Sequence, residues 1–205
     1  MSRIAALFVV APVLGPAAAS VDWTIVPGVR VGPITATTSE KDLIKLYGAK
    51  NISHQEIDLG EGVTASGTVL FAKNPEKRIK IVWRNQNSRS QTKSVFLSGA
   101  KSKWKTDDGV SLGMSLKTLE KMNGRPFVLA GFGWNYGGTA RSSKGGKLHS
   151  LNIATLYVQL SPASKWQEDP DYQGMIGDVE FSSDHPTMAK INPAVHLIRV
   201  DIKQN

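Results

Sequence analysis

The chain of 205 residues contains no cysteine. That removes disulfides, a thiol nucleophile and a lipid-modified cysteine. Histidine is scarce. His54, His149, His185 and His196 are scattered without metal-ligand spacing, so no zinc site is expected. Asp169, Asp171, Asp178 and Glu180 lack the fixed spacing of a calcium loop and read as a solvated acidic loop. No Gly-x-Ser-x-Gly elbow occurs. After residue 20 no apolar run is long enough to cross a bilayer. Acidic residues are missing where basic ones gather. Residues 73–105 hold ten of the 25 basic residues and only Glu76 of the 17 acidic ones. The formal net charge of +8 therefore belongs to one segment, which can steer anionic partners.

The N-terminus is the one strongly apolar stretch. Arg3 precedes Ile4 to Leu14, and Pro16 leads into Ala17-Ala18-Ala19. This is the pattern of an export signal over residues 1–19, with cleavage after Ala19 or Ser20. It is too short for a membrane span and is interrupted by Pro12 and Gly15. The mature chain is expected to be exported, periplasmic or extracellular, without a transmembrane segment. Lacking disulfides, it must be held by its hydrophobic core.

Two segments resemble each other, "GVRVGPITATTSEKDLIKLYGA" (28–49) and "GVSLGMSLKTLEKMNGRP" (109–126). Each predicts a polar cap, a short helix and a closing glycine. In the first, Ser39 and Asp42 fit a capping box, Leu43, Ile44, Leu46 and Tyr47 supply apolar positions, and Gly48 is the stop. In the second, the helix starts at Ser115, and Leu116, Leu119 and Met122 form one face before Asn123-Gly124. Strands are expected after each helix: Gly67 to Phe71, Arg78 to Arg84, Phe127 to Tyr136, and Leu151 to Leu160. Ser88 to Thr92 and Ser142 to Gly146 read as loops. A short helix from Pro186 and a strand over Val195 to Ile202 close the chain. The order implies an α+β fold, mostly β, of two tandem helix-then-antiparallel-sheet units over 20–105 and 106–205.

Leu112-Gly113-Met114-Ser115, followed by Leu119 and Gly124, resembles the signature of the β-lactamase-inhibitory-protein-like fold, which includes the outer-membrane assembly lipoproteins of the SmpA/OmlA type. The first segment departs from it, with Gly32-Pro33-Ile34 in place of Gly-Met-Ser. The resemblance implies a non-enzymatic protein that binds a partner through a sheet face or loops.

The leading binding candidates lie in the basic segment. "KRIKIVWR" (77–84) alternates Ile79, Ile81 and Trp83 with Arg78, Lys80, Val82 and Arg84, a half-buried strand with a basic face. Trp104 lies between Lys103 and Lys105, where an exposed indole and two cations would act together. Export disfavours nucleic acid, so the expected partner is a protein or an anionic envelope component.

Two other readings stay open. In "GFGWNYGG" (131–138), Phe132, Trp134 and Tyr136 share one face of the expected strand and could form a platform for a carbohydrate or small ligand. No helix follows its Gly-x-Gly, so a phosphate loop is not expected, and no cofactor is. Ser183, Asp184 and His185 have the composition of a hydrolase relay, against a plain helix start with Pro186 at the first position. Asp107-Asp108-Gly109 reads as a turn with no partner in view.

Overall fold

The computed structural model describes residues 22–204. The expected export signal over 1–19 lies outside them. Three short strands, β1 (Thr24–Val26), β2 (Arg30–Val31) and β3 (Ile34–Thr35), precede helix α1 (Glu40–Tyr47). An antiparallel meander follows: β4 (Ile52–Gly60), β5 (Val63–Leu70), β6 (Ile79–Asn85) and β7 (Ser90–Ser98). Then come β8 (Lys105–Thr106), α2 (Leu116–Asn123), β9 (Val128–Ala130), β10 (Ala140–Ser142) and β11 (Leu156–Ser161). The last part comprises α3 (Pro170–Gln173), β12 (Glu180–Ser182), α4 (Pro186–Ile191) and β13 (Ala194–Asp201). The fold is α+β and mostly β.

Both main helices start and stop where their local chemistry directs. At α1 the Asp42 amide donates to Ser39 Oγ at 3.3 Å and the Ser39 amide to the Asp42 carboxylate at 3.0 Å, a complete capping box. At α2 the Thr118 amide donates to Ser115 Oγ at 3.2 Å, and Gly124 closes the helix in the left-handed conformation. The apolar face of α1 is narrower than its sequence implies. Leu43 is buried, whereas Ile44 and Leu46 are exposed, Leu46 at 59%.

The main sheet has six antiparallel strands in the order β11-β13-β7-β6-β5-β4. Segment 20–105 contributes four of them and segment 106–205 two, joined where β13 pairs with β7. Two smaller sheets, β3-β2-β1-β8 and β10-β9-β12, flank it. Each helix start is tied to a central strand in the same way. The Glu40 amide donates to the Arg89 carbonyl (2.8 Å) and the Gln91 amide to the Thr38 carbonyl (3.0 Å). At α2 the Leu116 amide donates to the Pro193 carbonyl (2.7 Å) and the Val195 amide to the Met114 carbonyl (2.9 Å).

One sheet face carries Ile79, Ile81, Trp83, Val95, Leu97, Ile198 and Val200 into a large core shared with Leu43, Leu116 and Leu119 of the helices. The opposite face has a small cluster of its own: Ile57, Val82 and Phe96, with Leu59, Ala65 and Leu197 packed against it. No residue of α1 to α4 belongs to that cluster. It depends on Gly67, where a Cβ would lie 2.1 Å from Ile57 Cδ1 and 2.8 Å from the Ile81 carbonyl oxygen. Among the described residues no helix is long and apolar enough to cross a membrane.

Candidate functional site

The sheet face away from the helices holds a groove of about 280 Å³. Its floor is built by strand register. Lys80 of β6 pairs with Phe96 of β7, Phe96 with Arg199 of β13, and Arg199 with Tyr157 of β11. Directly opposed residues on antiparallel strands point to the same face, so four strands present one row of alternating cationic and aromatic side chains. The Arg199 guanidinium carbon lies 4.8 Å from the Tyr157 ring centroid and 5.7 Å from that of Phe96. Its Nε and one terminal nitrogen donate to Asp201 at 2.9 and 2.8 Å, and Ser94 Oγ donates to the same carboxylate at 2.6 Å. Burial opposes the Arg199 charge, but the Asp201 carboxylate outweighs it and holds the guanidinium pKa above its usual value.

Two segments wall the groove: residues 58–60, the last of β4 before its turn into β5, and the 131–139 segment. The second is pinned by Gln159 of β11, whose side-chain amide donates to the Asn135 and Gly137 carbonyls at 2.7 and 3.1 Å. The Leu160 amide donates to the Gly138 carbonyl at 2.9 Å. This approach needs glycine: Gly138 has φ 71°, and a Cβ there would lie 2.0 Å from the Leu160 carbonyl oxygen.

The expected strand over Phe127 to Tyr136 is therefore corrected. Only Val128–Ala130 is strand, and "GFGWNYGG" is a turn. The three rings do not share a face. Phe132 is core, 3% exposed, with its ring 5.6 Å from that of Tyr172. Trp134 and Tyr136 stay half-buried as an edge-to-face pair 5.6 Å apart, and Tyr136 lines the groove. The Trp134 Nε1 donates to the Gly131 carbonyl at 3.0 Å, and the Arg141 guanidinium stands 5.9 Å from its ring.

The basic candidates divide. Lys80 lines the groove. Arg84, near the far end of β6, donates to the Ile202 carbonyl at 2.6 Å. Arg78 precedes the strand, with its amide on the Asn74 carbonyl. Lys103 is paired with Glu76 at 2.7 Å, and Lys105 stands exposed on β8 in a different sheet. Trp104 is not the exposed indole expected from its flanking lysines. It is 2% exposed, packs edge-on against Trp23 at 5.1 Å and donates from Nε1 to the Lys77 carbonyl. An extended backbone alternates its side chains, so two outward lysines turn the residue between them inward.

Ser183, Asp184 and His185 form no relay. Ser183 is fully buried; its hydroxyl donates to the Glu120 carboxylate and accepts from the Phe127 amide. His185 caps α4, its Nδ1 accepting from the Thr187 amide, while Asp184 is exposed. Asp107 and Asp108 do acquire a partner that sequence spacing concealed: His149 lies 3.3 Å from one and 3.4 Å from the other. Asp169 and Asp171 both engage Lys190. Among the described residues no three metal-binding side chains gather.

Sequence reasoning missed Phe96, Tyr157, Arg199 and Leu197 as groove residues. Only the 80-96-199-157 register brings them together, and that register is a product of β13 docking on β7. Comparison with protein-family models, curated proteins and solved structures found no match.

Proposed function

We propose that this chain is an exported, non-enzymatic binding protein that holds a protein or anionic envelope component against the face of the six-stranded sheet. The observation that carries the reading is the in-register row Lys80, Phe96, Arg199 and Tyr157 on a face to whose packed cluster none of α1 to α4 contributes. Aromatic and arginine side chains concentrate binding energy because they bring large area with few degrees of freedom. Among the described ion pairs Lys80 has no carboxylate partner, so its charge is available to an acidic group.

We read segments 20–105 and 106–205 as two copies of one helix-then-sheet unit, fused through the β7–β13 pair. The matched helix-to-strand hydrogen bonds support this. So do matching register shifts: Lys93 of β7 is skipped between the Val82–Ser94 and Trp83–Thr92 pairs, and His196 of β13 between the Gln159–Leu197 and Leu160–Val195 pairs. The same reading agrees with the resemblance of Leu112 to Gly124 to the β-lactamase-inhibitory-protein-like fold.

The test is site-specific photo-cross-linking in the native cells. A photoreactive residue at Tyr157 or Lys80 is expected to capture a discrete partner, and one at Lys117 on α2 is not. A Lys80→Glu substitution should abolish the adduct formed from position 157. Adducts of equal yield from all three positions would defeat the proposal. A second reading, capture of a small ligand or carbohydrate, is favoured by the Trp134–Tyr136 pair at the groove lip. It predicts quenching of Trp134 fluorescence by that ligand with no protein adduct.

A further inference from the structure

A separate cavity of about 520 Å³ lies between the 3-10 turn Ala49–Asn51, the start of β4 and the turn joining β5 to β6. Lys50, Lys73 and Lys77 line it, with Asn51, Asn74 and Phe71, and no Asp or Glu does. The nearest acid in sequence, Glu76, is engaged by Lys103 at 2.7 Å. Three cations around one concavity repel each other unless an anion joins them.

The wall of this cavity is held in an uncommon backbone state. Phe71 has φ 57°, a left-handed conformation that large side chains seldom adopt. Its amide donates to the Asn51 carbonyl at 2.8 Å and its carbonyl accepts from the Asn74 amide at 2.9 Å, so both sides of the cavity hold it there. The conformation sets the ring between Tyr47, edge-to-face at 5.1 Å, and the Lys77 ammonium at 5.7 Å. Lys77 is thereby positioned by the ring instead of ranging freely in solvent. Strain of this kind persists where surrounding structure enforces it and is a feature of ligand-holding segments.

We propose that the cavity bounded by Lys50, Lys73, Lys77 and Phe71 binds a multiply charged phosphate group, either soluble or on a lipid headgroup. Lysine ammonium groups act as point charges that suit phosphate without demanding a fixed fork geometry. No residue that lines this cavity also lines the sheet-face groove, so it stands or falls independently of the groove.

Inorganic pyrophosphate and vesicles of phosphatidylcholine containing phosphatidic acid, whose phosphomonoester carries up to two charges, are the two probes, applied to the purified protein at low salt. Binding to at least one is expected, weakening as ionic strength rises. A Lys50→Gln/Lys73→Gln/Lys77→Gln variant should bind at least about tenfold more weakly, a loss large enough to read directly as a change in Kd. Lys117→Gln/Lys121→Gln/Lys147→Gln, with the same net charge, should stay within about twofold. Response to pyrophosphate identifies a soluble phosphate; response to vesicles alone identifies a headgroup. The first variant should keep or raise the melting temperature, because it relieves like-charge crowding. Failure to bind either probe, equal losses in both variants, or a lowered melting temperature in the first would overturn the assignment.

Discussion

A buried polar chain ties α1 to the main sheet, and breaking it yields a sharp prediction. Trp83 Nε1 donates to Thr68 Oγ1 at 2.8 Å, and Thr68 Oγ1 donates onward to the Glu40 carboxylate at 2.5 Å. Thr68 and Trp83 are buried in the core, and Glu40 also accepts from His54 at 2.9 Å. Thr68→Val preserves shape but removes both bonds. It leaves the indole N–H buried and unpaired, at about 1–3 kcal/mol, and deletes a bond to a charged acceptor of about 1.5–3 kcal/mol. Glu40 keeps its other partner, so the lower part of each range applies, roughly 3 kcal/mol in total. For a chain of this size each kcal/mol lowers the melting temperature by about 2–4 °C, giving a fall of roughly 6–12 °C. Trp83→Phe removes the indole donor, and in the Thr68→Val background it abolishes the orphan. The double variant should therefore be about 1–2 kcal/mol more stable than the sum of the single effects. Chemical denaturation of the four proteins measures this coupling. A Thr68→Val cost below about 0.5 kcal/mol, or additivity within about 0.5 kcal/mol, would refute the reasoning.

Gly67→Ala should destabilise the protein by about 1–3 kcal/mol through overpacking, and Ile57→Ala should partly restore it, because the added methyl collides with Ile57. Ser115→Ala should cost about 1 kcal/mol by removing the α2 cap, with a local rise in amide exchange at Thr118. Hydrogen bonds from Thr24 to Asp22 and from Ser39 to Asp42 hold both carboxyls below their ordinary value of 3.8. The unfolded chain therefore takes up these protons first as pH falls. The stability they supply is complete above about pH 4 and is lost on acidification below it, so Asp42→Asn should flatten that acid limb in denaturation curves. Arg199→Met should leave the fold intact but loosen the stacked Tyr157 ring, seen as faster ring motion by NMR, and should weaken capture by the sheet face.

Local chemistry made the helices legible. Ser39 with Asp42, Ser115, Gly48 and Gly124 define both pairs of ends because capping uses residues within one turn of each other. The strand over 79–85 was legible because one face is apolar. Two strands of the main sheet were not. β4 fully buries only Ile57 and lies at the sheet edge, so its sequence has little apolar period. β7 buries Val95, Phe96 and Leu97 consecutively because Phe96 packs into the small second cluster beneath the Arg199 guanidinium while Val95 and Leu97 face the main core, which erases alternation. The turn at 131–138 read as a strand because its aromatics alternate. In the folded chain Gly131, Gly137 and Gly138 let it fold back on β11 and the 175–177 segment.

The sequence by itself determined what depends on neighbours along the chain: the absence of disulfides, the basic segment, the two capped helices and the alternating strand of Lys80. Only the tertiary structure decided which side chains meet. It buried Trp104 and Phe132, separated Lys103 and Lys105 from Lys80, and turned Ser183 onto Glu120 instead of His185. The Lys80-Phe96-Arg199-Tyr157 row spans more than a hundred residues and exists because β13 hydrogen-bonds to β7 in one register. A slip of one residue there would send Arg199 into the core face, and no local pattern within β6 or β7 encodes that choice.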